Sequence, residues 1–127
     1  YYGRCSFDAV ICGDDPGSIH WIECNGRWSG VSIPLAILAA VDPKHTAKGM
    51  MIIQEKVRSG PIDTSQALTA ISDLLYQKNP VEGGVILLSP PHTTVASSAN
   101  VLSFAGTQGD AALLGDTALA ALRNTGG

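Results

Sequence analysis

Five polar residues near the start of the chain have the types and spacing needed for metal and phosphate chemistry. Asp8 lies in one segment rich in β-branched and aromatic residues, and Glu23 and Asn25 lie in the next. Carboxylate and amide oxygens are hard ligands of the kind that Mg²⁺ accepts, with water and phosphate oxygens completing its octahedron. Arg4 and Arg27 stand at the outer ends of the two segments, and guanidinium groups bind phosphate or carboxylate oxygens through forked hydrogen bonds.

The two segments are predicted to form a β-hairpin, the element that must position these side chains. Residues 4–12 and 19–25 read as strands, and Gly-Asp-Asp-Pro-Gly at 13–17 is a dense turn signal between them. Because side chains alternate between the two faces of a strand, the hairpin separates a polar face from an apolar face.

The register of this hairpin decides whether the polar residues meet. If Asp8 pairs with Glu23, Asn25 shares their face and Arg4 faces Arg27, which makes two like-charge pairs where stability alone favours opposite charges. Carboxylates about 4 Å apart repel by about 4 kcal/mol at an effective dielectric near 20, so a cation between them or protonation of one is expected. A structural hairpin with a solvated polar face is the alternative, since a one-residue slip reverses the faces of one strand.

The opposite face of the hairpin is predicted to pack against a core. In the assumed register it carries His20, Cys5 and Cys24, which we interpret as a hydrogen-bonded structural histidine and buried apolar filler. Trp21 and Val10 fall on the polar face, where they could form a wall of the site.

The rest of the chain predicts an α+β protein with a boundary near residues 42–48. The order of elements is β-β-α followed by β-α-β-β-α. Asp63, with Gln66 three residues later, is the expected N-cap of a helix whose apolar face runs to Leu75. The other predicted elements are a helix at 33–41, strands at 50–57, 85–88 and 100–105, and a helix at 110–123 that contains Gly115.

Composition excludes several classes of function. The net charge is −3, with 8 Lys+Arg against 11 Asp+Glu and no concentration of basic residues, so nucleic acid is not an expected partner. The longest apolar run, 33–41, is far shorter than the about 20 residues that cross a membrane. Three cysteines without metal-ligand spacing support neither a disulfide framework nor a zinc module, and no export signal is evident, so a cytoplasmic location is expected.

The hairpin residues resemble a known family. The stretches Arg-Cys-Ser-Phe-Asp-Ala-Val-Ile-Cys-Gly and His-Trp-Ile-Glu-Cys-Asn-Gly-Arg look like the final metal-binding hairpin of ATP-grasp ligases, in which an Asp precedes a Glu-x-Asn motif. The resemblance implies that Asp8, Glu23 and Asn25 hold the Mg²⁺ (or Mn²⁺) ions that bridge the ATP phosphates. It also implies that Glu23 and Asn25 contact the nucleotide and that Arg27 and Arg4 are catalytic cations on the phosphate side.

The family implies an architecture and a function. Residues 1–42 would be the C-terminal end of an ATP-grasp domain, and 43–127 a small α+β domain similar to the C-terminal domain of peptide ligases of the pheganomycin-synthesising type. The expected function is the C-terminal part of an ADP-forming carboxylate–amine ligase acting through an acyl phosphate, with small carboxylate and amine substrates. The N-terminal remainder of that ligase, which in the family carries the glycine-rich loop and ATP-binding lysines, would be its partner, so the chain alone should be inactive. The alternative is a non-catalytic interaction module that docks on a partner chain, with a homodimer as one form.

Overall fold

A computed structural model describes residues 5–13, 17–26, 30–77, 83–91 and 96–125. Over these residues the chain is an α+β protein with two antiparallel sheets and three helices, in the predicted order. It divides into two compact units, a hairpin unit of residues 1–40 and a sheet unit of residues 41–127. None of the helices described here has the length and apolar character to cross a membrane.

The hairpin unit consists of two strands and most of one helix. Strand β1 is Ser6–Ile11, β2 is Ile19–Asn25, and helix α1 is Ser32–Val41. Gly13 adopts a positive φ of 72° in the connecting turn, a conformation that glycine reaches without steric cost. Pro34 lies in the first turn of α1, where its missing N–H removes no intrahelical hydrogen bond.

Three antiparallel strands form the sheet of the sheet unit. They are β3, Gly49–Ser59, β4, Gly84–Leu87, and β5, Ala96–Ala105, in the order β3-β5-β4. The central strand β5 begins four residues before its predicted start at residue 100. The segment Ala-Ser-Ser-Ala has little strand preference of its own, and its pairing with the far end of β3 carries the extension.

Helix α2, Thr64–Ala70, begins as predicted and ends early. The Asp63 side chain accepts a hydrogen bond from the Ser65 N–H at 2.8 Å, which makes it the N-cap. The predicted continuation to Leu75 is wrong, because this segment pairs with β4 instead. Val85 donates its N–H to the carbonyl of Leu74, and Tyr76 donates its N–H to the carbonyl of Val85, both at 2.8 Å.

Helix α3, Gln108–Arg123, packs on β3 and β5. Its N-cap is Thr107, whose hydroxyl accepts a hydrogen bond from the Asp110 N–H at 3.1 Å. A Cβ added at Gly115 would lie 2.7 Å from Ile53 Cδ1 and 2.9 Å from Ser103 Oγ. This glycine, unfavourable for an isolated helix, therefore allows α3 to approach the sheet closely.

The hydrophobic core lies within the sheet unit. Its buried members come from the sheet, from α2 and the residues flanking it, and from α3. They are Ile53, Val57, Ile62, Ala67, Ile71, Val85, Ala99, Val101, Ala118, Leu119 and Leu122.

A loop at the start of the sheet unit is organised by Asp42. Its carboxylate accepts hydrogen bonds from the N–H and hydroxyl of Thr46, at 3.0 and 2.8 Å, and from the Ala47 N–H at 2.8 Å. These bonds, led by the one from the Thr46 backbone, stabilise the ionised form and lower the pKa of Asp42. His45 takes a positive φ of 52° inside this loop.

Candidate metal and phosphate face

The strand register brings three of the predicted site residues to one face of the hairpin. Asp8 pairs with Glu23, as in the assumed register, and Ser6 pairs with Asn25 two positions along. Residues directly opposite in an antiparallel pair share a face, with Cβ atoms about 4.5–5.5 Å apart. We call the surface formed by Ser6, Asp8, Glu23 and Asn25 the carboxylate face.

Exposure reduces the electrostatic cost of this arrangement. The side chains of Asp8 and Glu23 are exposed, and Ser6 and Asn25 are half-buried. In water two charges 4 Å apart repel by about 1 kcal/mol, rather than the about 4 kcal/mol of a less polar setting. The expectation that the acidic pair needs a cation or a proton in order to coexist is therefore too strong.

The donor chemistry of the carboxylate face fits a hard divalent cation. Asp8 and Glu23 offer carboxylate oxygens and Asn25 an amide oxygen, a set that leaves room for the waters Mg²⁺ usually retains. Among the described residues, no three His, Cys, Asp or Glu side chains are grouped to hold a metal. An ion here would consequently need oxygen ligands from Asn25, water or a bound phosphate.

Arg4 and Arg27 were predicted to extend this face as phosphate-side cations. Both lie outside the described residues. Their part in the site stays a prediction from the sequence.

A register shift follows directly after the acidic pair. Beyond Asp8, Ala9 pairs with Trp21 and Val10 pairs with His20, so Ile22 is an extra residue on β2. Two residues on one strand then oppose one on the other, which is the definition of a β-bulge. The predicted pairing of Ala9 with Ile22 and of Ile11 with His20 is wrong for this reason.

The bulge exchanges the faces of two aromatic residues. Trp21 leaves the polar face, and its ring contacts that of Phe7 edge-on, with centroids 5.8 Å apart and planes at 76°. His20, opposite Val10, moves to the carboxylate face. In the sequence, the adjacent large apolar residues Trp21 and Ile22 interrupt the polar alternation between His20 and Glu23, but this pattern alone does not say which strand carries an extra residue.

The described side chains on the opposite face of the hairpin are exposed, contrary to the prediction of a core face. Phe7 is 58% exposed, Trp21 70% and Ile22 66%. Together with Cys24 these residues line an open depression of about 500 Å³, which Glu23 of the carboxylate face also borders. Cys5 and Cys24 are exposed free thiols rather than buried filler.

Comparisons with known proteins neither support nor contradict the resemblance to ATP-grasp ligases. No protein-family model matches this chain, and no curated protein or solved structure is significantly similar to it. The resemblance to the ATP-grasp hairpin consequently rests on the residues of the hairpin alone. The function of the chain has to be inferred from the geometry of its candidate site.

Proposed function

We propose that this chain is the C-terminal part of an ATP-grasp ligase, ADP-forming and joining a small carboxylate to an amine. The proposal rests chiefly on the pairing of Asp8 with Glu23, with Asn25 on the same face. A purely structural hairpin gains nothing from opposing carboxylates, whereas a site for Mg²⁺ and phosphate requires oxygen donors grouped on one surface.

The residues would divide the work by charge. Asp8 and Glu23 hold the cation, Asn25 adds a neutral oxygen, and Arg4 and Arg27 supply positive charge to the transferred phosphoryl group. When bound, Mg²⁺ neutralises phosphate oxygens. The substrate carboxylate attacks the γ-phosphorus of ATP, ADP leaves, and the amine then displaces phosphate from the acyl phosphate to form the amide.

The sharpest test compares two neighbouring residues that point to opposite faces. In an enzyme assembled from this chain and its expected N-terminal half, Glu23→Gln should lower kcat by about 10²–10³, the effect of removing one electrostatic contact at a reaction centre. Cys24→Ala, on the other face, should leave kcat within about threefold by the same argument. Equal losses would contradict the assignment of the faces.

The chain by itself supplies a second test. Weak binding of Mg²⁺ and nucleotide that disappears in Glu23→Gln supports the ligase, and no ADP release from ATP is expected without the other half of the site. Rapid ADP release by the 127-residue chain would contradict the proposal that it is one part of a ligase.

One observation favours the alternative of a non-catalytic interaction module. The exposed apolar residues Phe7, Trp21 and Ile22 form a surface of the kind that binds a partner chain. A stable homodimer in light scattering, with no Glu23-dependent binding of Mg²⁺ and nucleotide, would favour the module over the ligase.

A further inference from the structure

The β-bulge gives the carboxylate face a residue that regular strand alternation would place elsewhere. In an unbroken register His20 lies opposite Ile11, among the apolar side chains. In the structure it lies opposite Val10. The contact between the rings of Trp21 and Phe7 supports this independently, because neighbouring residues on a strand point to opposite faces. Bulges that re-aim a side chain are frequent beside functional sites.

His20 is placed next to the acidic pair without being part of it. Val10 is two residues from Asp8 on the same strand, so His20 is the diagonal neighbour of Asp8. Diagonal neighbours on one face are about 7–8 Å apart, with a somewhat shorter distance between their Cβ atoms, which is within reach of long and aromatic side chains. That separation suits contact with a ligand held by Asp8 and Glu23 better than direct coordination of the same ion, and it agrees with the lack of a three-residue metal group among the described residues.

The imidazole of His20 is available to a ligand. Its side chain is exposed, and its one hydrogen bond within the described residues joins Nε2 to the Ser18 hydroxyl at 3.4 Å, near the upper limit of such contacts. Nδ1 has no partner there. An imidazole N–H bonded to a charged phosphate oxygen is a stronger interaction than this hydroxyl contact.

We infer that His20 is a further binding residue of the carboxylate face and donates a hydrogen bond to a phosphate oxygen of the metal-bound ligand. This inference rests on the proposed function, since it needs a phosphate on that face. It assigns His20 to one end of the face, whereas Arg27 follows Asn25 at the other end in the sequence.

The test measures Mg²⁺ alone and Mg²⁺ with inorganic pyrophosphate by calorimetry on the intact chain. His20→Phe removes the donor and should weaken pyrophosphate binding about tenfold, the lower range for a hydrogen bond to a charged group, while the Kd for Mg²⁺ alone stays within about twofold. His20→Asn, which restores an N–H near the position of Nδ1, should recover most of the loss. Trp21→Phe, a neighbouring aromatic change on the opposite face, should alter neither constant.

The two proposals fail in different ways. The proposed function and the role of His20 are both wrong if the parent chain binds neither Mg²⁺ nor pyrophosphate. They are also both wrong if Glu23→Gln binds both with the affinity of the parent chain. If binding depends on Glu23 but His20→Phe retains full affinity for pyrophosphate, only the inference about His20 is wrong. An equal loss for Mg²⁺ alone in His20→Phe would also overturn it, because the imidazole would then act on the cation.

A second measurement tests the placement directly. Mn²⁺ bound at Asp8 and Glu23 should broaden the proton signals of the His20 ring. This broadening should be lost in Glu23→Gln. A His20 ring that is not broadened in the parent chain at Mn²⁺ concentrations that saturate the site would show that His20 is not beside the ion.

Discussion

The two sheets have the same antiparallel pairing but differ in burial. In the sheet unit, β5 is buried on both faces, and neighbouring residues such as Val101 and Leu102 are fully covered. In the hairpin unit, β1 and β2 form a two-stranded sheet with no further strand among the described residues, and Phe7, Trp21 and Ile22 are exposed. An isolated two-stranded hairpin is marginally stable at best. The sheet unit is therefore stabilised by a buried core, whereas the hairpin unit has exposed apolar and acidic faces that a ligand or partner can reach.

The largest expected difference between the units comes from one substitution made in each. Ile71→Ala removes a fully buried side chain from the core and should lower the free energy of unfolding by about 3 kcal/mol, the usual loss of burial plus a cavity. Ile22→Ala, at a site 66% exposed in the hairpin, should change it by less than about 0.5 kcal/mol. Urea unfolding followed by circular dichroism measures both, and a comparable loss at Ile22 would mean that the hairpin has a core of its own.

Two glycines of α3 differ in the space that a side chain would have. Gly115→Val should destabilise the protein by about 1–3 kcal/mol, because the new side chain meets Ile53 and Ser103 in a filled interior. Gly109→Ala, where the nearest atom to an added Cβ is 3.9 Å away, should instead stabilise by up to about 1 kcal/mol through helix propensity. Thermal unfolding of the two variants should therefore shift in opposite directions, and a tolerated valine at 115 would contradict the close approach of α3.

Acid should remove the stabilisation that the ionised Asp42 side chain gives to the loop at the start of the sheet unit. The pKa of Asp42 is lowered from 3.8 by its hydrogen bonds to Thr46 and Ala47, so its stabilisation is complete above the unfolded-state pKa and is lost as the pH falls through the lower folded-state value. Asp42→Asn should accordingly lower the Tm at pH 7, and the difference from the parent chain should shrink as the pH falls below 3.8 and through the lower folded-state pKa. Asp73→Asn, at an exposed site in the same unit, serves as the control. A difference that persists unchanged in acid would mean that the carboxylate charge is not responsible.

The smallest effect is expected at the carboxylate face. Asp8→Asn removes a repulsion of about 1 kcal/mol between exposed groups, so it should slightly slow amide exchange in the hairpin in EDTA. It should also weaken the binding of Mg²⁺ or Mn²⁺, because it removes a charged ligand. Faster exchange to the same degree with EDTA and with excess Mg²⁺ would indicate an ordinary structural carboxylate and would contradict the metal site.

Much of the fold could be predicted because its signals are local. The cap at Asp63 and the turn signal Gly-Asp-Asp-Pro-Gly each act within a few residues, and the predicted order of elements depends on such signals. The early end of α2 could not be predicted. Leu75 is a good helix residue by itself, and its pairing with Val85 depends on a strand that lies later in the chain.

Some features of the candidate site were likewise predictable from the sequence, and others were not. The residue types of Asp8, Glu23 and Asn25 indicated oxygen ligands, whereas the pairing of the two carboxylates was an assumed register, which the structure has from Ser6 to Asp8 and departs from after Asp8. The sequence by itself thus determined the donor chemistry, because donor chemistry depends on residue identity alone. Only the tertiary structure decided that His20 joins the carboxylate face and that the apolar face stays open. A bulge changes the count of residues between two paired strands, and burial depends on what else the chain brings against a surface.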